Sequence, residues 1–301
     1  MSKPALRVRI YGARGSYSST SNHGTSFGVN TTCFRVDLGE QILIVDAGSG
    51  IINCGGELLK ELQRERADRA EWPVYLLFTH MHIDHLAGLP FFAPLYSPKS
   101  DVHFIGPQIL DYKLEEAVRT FVHPPFFPVG IEDLPFRANF HEMAENKAIY
   151  LYKDRFELRP LIEKIEPDWL SRITSMRNYT HPKGGSFFYR FETAAGAILV
   201  IATDTEGFAG GDQRLIKFAK GADILLHDAQ YDPGEYGMMQ GFGHSTYEMA
   251  CEVAEKAEVK KLVLVHHDPR YDDEKLRAIE KKARERFAQT LLAVEGMELT
   301  L

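Results

Sequence analysis

Residues 79–90 read THMHIDHLAGLP, and within them His80, His82, Asp84 and His85 place four metal-binding side chains in six positions. The apolar run from Pro73 to Phe78 leads into them and is predicted to be a buried strand. His80 and His82 are two residues apart, so at a strand end both project from the same side. Asp84 and His85 turn with the chain into the next helix, where they can serve a second ion. Imidazole nitrogen suits zinc and similar divalent ions, and a carboxylate adds the charge that holds two cations close together. Histidines also occur satisfied in cores or solvated at surfaces. Three of them with an aspartate in this spacing, at a strand-to-loop junction, point instead to a binuclear metal enzyme.

Outward from this motif the chain alternates strands and helices in two halves. Strands are predicted at Leu6 to Tyr11, Cys33 to Leu38 and Ile42 to Asp46, separated by turn-rich segments. Helices are predicted at Glu57 to Arg69 and Gln108 to Phe121. The stretch HPPFFPVGIEDLP, His123 to Pro135, cannot be regular helix because its prolines remove donors and fix φ. It reads as an ordered loop with exposed aromatics. Strands return at Ile149 to Lys153, Arg172 to Tyr179, Ser186 to Phe191, Ala197 to Thr203, Ala222 to Leu226 and Lys261 to Val265. Ser245-Thr246-Tyr247-Glu248 reads as a capping box opening a helix to about Glu258. A charged helix, Asp273 to Gln289, and a closing strand follow. The expected fold is α/β (α+β), with two mixed sheets face to face and helices outside, as one domain over 1–301. A possible insertion lies at about 132–171.

The 301 residues carry a net charge of −7, with 44% hydrophobic and 26% charged side chains. This is the composition of an ordinary globular protein with a substantial core. The charge offers no global attraction to a polyanion, so extended nucleic acid is not the expected partner. Cys33, Cys54 and Cys251 form an odd, widely spaced set that reads as reduced thiols. No signal-peptide h-region is seen at the N-terminus and no run approaches the ~18 apolar residues of a membrane span. A cytoplasmic location without membrane association is expected, and a homodimer stays open.

Polar residues at the ends of other apolar strands form a second set: His181, Asp204, His227, Asp228 and His266. Strand ends that converge on one rim are where a sheet protein builds a site. His267 is an alternative to His266, although register favours His266, which ends the apolar run. His227 is ambiguous. His23, His103, His123 and His141 read as loop or surface residues. GARGS, Gly12 to Ser16, offers backbone donors to a phosphate, but a glycine turn between strands is the commoner meaning.

With these residues the chain resembles the metallo-β-lactamase superfamily over nearly its whole length. Within it the pattern is similar to the phosphodiesterase branch that holds tRNase Z and small cyclic-phosphate and cyclic-nucleotide phosphodiesterases. The matching residues are Asp46 in VDAGSG, the cluster His80 to His85, His181 ahead of GGSFFYRFE, Asp204, and His266 in VLVHHDP. GHST, Gly243 to Thr246, resembles the histidine motif of that branch. The resemblance implies a four-layer αββα sandwich. It also implies one metal on His80, His82 and His181, a second on Asp84, His85 and His266, and Asp204 bridging both. Zinc is the expected ion, and Mn²⁺ and Fe²⁺ accept the same ligands.

Two such ions share a bridging hydroxide, whose pKa falls towards ~7, and hold the oxygens of a phosphoryl group. In-line attack then expels an alkoxide, which needs a proton. His244 is the expected general acid with Asp228 orienting it, and Asp84 is counted with both as catalytic. A helix-capping His244 and a structural Asp228 are the alternatives. Asp46 is expected behind the ligands, accepting from an imidazole.

β-Lactam hydrolysis is disfavoured by the bridging Asp204, and thioester hydrolysis by GHST and LLHDA. A small phosphodiester, such as a cyclic nucleotide with its base on Phe126 or Phe127, is the expected substrate. tRNA 3′-processing is the alternative, and a non-catalytic protein that binds metal and nucleotide is the reading from another class.

Overall fold

The computed structural model describes residues 6–19, 26–108, 110, 112–153, 155–166 and 168–301. His23 lies outside the described residues.

Alternation and helical spacing place the elements. In chain order they begin with β1 (Arg7–Gly12), β2 (Cys33–Leu38), β3 (Gln41–Val45), α1 (Ile51–Glu65), β4 (Trp72–Leu77), β5 (Ser100–Pro107), α2 (Leu114–Phe121) and β6 (Arg137–Met143). There follow β7 (Lys147–Leu151), β8 (Phe156–Pro160), β9 (Ser171–Asn178), β10 (Ser186–Thr193) and β11 (Ile198–Ala202). The chain closes with α3 (Gln213–Phe218), β12 (Ile224–Asp228), α4 (Pro233–Met239), α5 (Tyr247–Ala257), β13 (Leu262–Val265), α6 (Asp273–Arg286), β14 (Thr290–Leu292) and β15 (Glu298–Thr300).

One sheet has the order β15-β1-β2-β3-β4-β5-β6 and the other β14-β13-β12-β11-β10-β9-β7-β8. Both mix parallel and antiparallel pairs. Alternate residues of each strand meet between the sheets: Val8, Ile10, Val36 and Leu77 from one face Phe187, Tyr189, Phe191 and Ile201 from the other. The intervening residues turn outward onto helices. α1 and α2 pack on the first sheet through Ile51, Leu58 and Val118, and α3, α5 and α6 on the second through Leu215, Ala254 and Leu276. The result is the four-layer αββα sandwich.

Several elements depart from the sequence reading. α1 starts at Ile51 rather than Glu57, because its apolar stripe of Ile51, Cys54, Leu58 and Leu62 begins there. Gly55 interrupts the helical pattern for a packing reason: a Cβ there would lie 2.6 Å from the ring of Phe92. α2 is confined to Leu114–Phe121. β5 and β6 place His103 and His141 inside strands rather than in loops, with their rings stacked 5.2 Å apart. Residues 132–171 contribute β6 to one sheet and β7 and β8 to the other. The cap of α5 is Thr246, which accepts from the amide of Met249, while Ser245 Oγ donates to the carbonyl of Thr205.

Candidate metal centre

β3 and β4 run parallel, as do β11, β12 and β13, and two antiparallel pairings through β10 give β9 the direction of β11. The C-terminal ends of each set therefore reach one rim. Asp46 follows β3, His80 follows β4, His181 follows β9, Asp204 follows β11, Asp228 ends β12 and His266 follows β13. Asp46, Asp204 and His266 hold positive φ values of 63°, 56° and 62°, a conformation that costs energy in a non-glycine residue. The backbone is bent at the points where these strands deliver their side chains.

Two groups of donor atoms result, each gathered within 4.8 Å. One is His80, His82 and His181; the other is Asp84, His85, Asp204 and His266. His181 Nε2 faces His82 Nδ1 at 2.9 Å. Asp204 lies between the groups, with Oδ1 3.8 Å from His80 Nε2 and 3.3 Å from His266 Nε2, and Oδ2 3.2 Å from His85 Nε2. All seven expected ligands thus converge. His82 alone among them is exposed.

Hydrogen bonds orient the rings from behind. His85 Nδ1 donates to Asp46 at 2.8 Å, and Asp46 also accepts from the amide and hydroxyl of Thr79. The Thr79 hydroxyl lies 3.1 Å from His80 Nδ1. His181 Nδ1 donates to the carbonyl of Gly243 at 3.1 Å, and His266 Nδ1 to Gln230 Oε1 at 2.9 Å. In each case one nitrogen is engaged and Nε2 is left to face the cluster, the arrangement metal-binding imidazoles adopt.

The donor set fits divalent cations. His80 Nε2 and His85 Nε2 are buried and meet no hydrogen-bond partner among the described residues. Asp46, Asp84, Asp204 and Asp228 are all buried within one small region. Buried charges of one sign need counter-charges or metal. Burial, with the neighbouring histidines, holds His80 below the ordinary imidazole value, and burial brings His181 down to about 4. Neutral rings are the form that binds metal. At His266 burial opposes charge, but Asp204, Asp84 and Asp228 outweigh it and raise the ring to about 9. This half of the site attracts positive charge.

His244 stands beside the cluster. Its Nδ1 donates to Asp228 Oδ2 at 2.7 Å, and its ring stacks 4.8 Å from that of His266. Asp228 also accepts from the amides of Ser245 and Gln230, which fixes the carboxylate. His244 reaches within 4.8 Å of donor atoms of His181 and Asp204.

Sequence reasoning passed over several supports. Ser16 donates its amide to Asp84 Oδ2 at 2.7 Å, so GARGS anchors a carboxylate of the donor set. Gly15 is required there, since a Cβ would lie 2.2 Å from His266 Nδ1. Glu206 accepts from the Tyr236 hydroxyl and from the amides of Gly241 and Gly243, holding the loop that carries both the Gly243 carbonyl and His244. TDTEG offered a signal for Glu206, an acid two residues after the expected bridging aspartate. His267 donates elsewhere, to the Ala293 carbonyl, and His227 to the Asp228 carbonyl, and neither joins the cluster. Phe126 is 73% exposed, while Phe127 packs edge-on against Phe91.

The family model described as Beta-lactamase superfamily domain matches residues 42–267. The chain is 24% identical to a protein named Ribonuclease Z from Porphyromonas gingivalis, over 99% of both sequences. Among solved structures it is similar to the metallo-β-lactamase fold protein YhfI of Bacillus subtilis, with a TM-score of 0.65, 17% identity and 99% of both chains covered. It is also similar to the short form of human tRNase Z, with a TM-score of 0.64, 19% identity and 98% of both chains covered.

These matches correct one expectation. A small phosphodiester partner, with extended nucleic acid disfavoured by the net charge of −7, does not agree with full-length similarity to proteins named for ribonuclease activity. Net charge averages the whole surface, whereas contact with a polyanion depends on the field within a Debye length of ~8–10 Å. Among the described residues no helix is long and apolar enough to cross a membrane. With three-quarters of its length matched by the family model and its strands ending in this His/Asp rim, the chain belongs to the metallo-β-lactamase superfamily.

Proposed function

We propose that the protein is a metal-dependent phosphodiesterase that cuts RNA, acting as a tRNA 3′-processing endoribonuclease. The observation that carries the chemistry is the 2.7 Å contact between His244 and Asp228 at the edge of the seven-residue donor set. Similarity to Ribonuclease Z over 99% of the chain supports RNA as the substrate class.

In this reading His80, His82 and His181 would hold one divalent ion and Asp84, His85 and His266 a second, with Asp204 placed between the two sets as a ligand available to either. The ions supply Lewis acidity, which lowers the pKa of water towards ~7 and stabilises charge on the phosphoryl oxygens. Asp46, Thr79, Gln230 and the Gly243 carbonyl keep the ligand nitrogens facing inward. Cleavage forms a bond from a water oxygen to phosphorus, with a proton of that water released to solvent, and breaks the bond from phosphorus to a ribose oxygen. His244 Nε2 gives its proton to that ribose oxygen, and Asp228 stabilises the ring while it is charged and fixes which nitrogen faces the substrate. A protein that only binds metal and nucleotide has no use for an imidazole oriented in this way.

The test is incubation of the metal-loaded protein with a tRNA precursor carrying a 3′ extension, alongside 2′,3′- and 3′,5′-cyclic nucleotides. A single cut at the 3′ side of the tRNA, abolished by chelator, is the expected result. An intact precursor with efficient cyclic-nucleotide turnover would overturn the assignment.

A further inference from the structure

The outer face of the second sheet is covered unevenly. Helices pack over β11 to β13, but beside α3 the strands β9 and β10 border a groove of about 560 Å³. Arg172, Arg190, Arg214, Lys217 and Lys220 line it, against the single carboxylate of Glu192. Glu192 is shared by Arg172 and Arg190. Arg214 and Lys220 pair outward with Glu145 and Glu258 at 2.6 Å. Even with those two acids included, cations outnumber carboxylates five to three, on a chain whose net charge is −7. Exposed ion pairs of this kind are weak, so a polyanion can displace the carboxylates.

One wall of the groove is β9, whose C-terminal end points towards the metal centre. β9 runs from Ser171 to Asn178, and three residues later comes His181. From Arg172 to Asn178 the six steps span roughly 20 Å at the usual strand rise, a length over which an RNA strand carries several phosphates. At the near end the Arg214 guanidinium lies 5.6 Å from the ring centre of Tyr179, which is 69% exposed. Tyr179 also borders a second opening of about 490 Å³ with Arg177, Gly184 and Gly185, next to His181. A cationic path that ends in an exposed aromatic ring is the arrangement by which proteins hold single-stranded nucleic acid.

We infer that the β9–β10 groove is the track along which an RNA strand enters the metal centre, its phosphates on the Arg172–Lys220 cations and a base on Tyr179. This rests on the RNA-processing reading and names the surface that would serve it.

The test compares wild type with R172Q/K217Q/K220Q, and with K217E, which alters one exposed side chain outside the sheet. Binding of a fluorescent 3′-extended tRNA precursor is followed by anisotropy, on a His244→Ala background so that cleavage does not interfere. Turnover of a bis-nitrophenyl phosphodiester is measured with His244 present. The triple variant should bind RNA at least ~10-fold more weakly at 0.1 M salt, with the slope of log K against log salt smaller by about 2, from ~0.7 per lost phosphate contact. K217E should weaken binding in the same direction, and chromogen turnover should stay within about twofold in both, since the lost contacts are phosphate contacts of an extended strand. Unchanged RNA affinity and slope overturn the inference. So does retained RNA affinity with lost affinity for polyglutamate, which would assign the groove to an acidic protein. RNA that is bound through the groove but never cut by wild type would instead count against the processing reading.

Discussion

The two halves of the donor set differ in how they are built. His80, His82 and His181 offer three imidazoles with one ring exposed, whereas Asp84, His85, Asp204 and His266 are all buried and include two carboxylates. Burial and mutual repulsion keep charge off the rings of the first group, while the carboxylates around His266 raise it to about 9. The second half concentrates the negative charge, and the first holds the one exposed ring. Their supports differ as well, although Asp46 also reaches His80 of the first half through the Thr79 hydroxyl. Asp46 stands behind His85, and the loop held by Glu206 stands behind His181.

On the proposed assignment the largest effect belongs to the residue common to both halves. Asp204→Ala should lose at least one ion and nearly all turnover, because its carboxylate offsets the repulsion between two cations. Metal counting by plasma spectrometry checks this, and two retained ions with near-normal activity would remove Asp204 from the bridging position.

His244→Ala should keep both ions and lose ~10²–10⁴-fold in turnover of an RNA substrate, the usual contribution of a positioned acid. The deficit should shrink on a nitrophenyl phosphodiester, whose leaving group hardly needs a proton. Equal loss on both substrates, with a lower melting temperature, would make His244 a structural residue.

The supports sharpen the contrast between halves. Asp46→Asn should weaken the affinity of the buried, carboxylate-rich half by ~10–100-fold, since the His85 ring loses its charged acceptor. The other half should be affected less, since Asp46 reaches His80 only through the Thr79 hydroxyl. Stepwise metal titration by calorimetry resolves the two. If both affinities fall together, the halves act as one site.

The smallest effect is expected from Glu206→Ala, about 10-fold in affinity at the His80–His82–His181 half. That variant should also slow the RNA reaction, because the same loop carries His244. A change confined to the carboxylate-rich half would show that the loop does not act through His181.

Much of this site was legible in the chain, and for a local reason. His80-x-His82-x-Asp84-His85 is contiguous, and the other ligands sit where apolar runs stop, as in LVIATD and VLVH. Residue type and strand period together pick out a candidate donor without knowledge of its partners. The same signals predicted two sheets with helices outside. They failed at β5 and β6, where His103 and His141 were read as surface residues. β6 is an edge strand and buries less, so its pattern is weaker, and the register that pairs His103 with Asn139 and Ile105 with His141 sets the two rings as diagonal neighbours. They failed again at Gly55, whose close packing on Phe92 outweighs a poor helix propensity.

The chain alone therefore settled the types of donor atoms and the strands that carry them, because both are written in short stretches of sequence. Tertiary structure decided the rest. Parallel strand order brings residues as distant as Asp46 and His266 to one rim, and no local pattern encodes that order. The Ser16 amide, the Gly243 carbonyl and the space left by Gly15 are backbone features, with no side chain to announce them. Net charge could not reveal the β9–β10 groove, because a sum over 301 residues holds no information about which cations become neighbours when the sheets close.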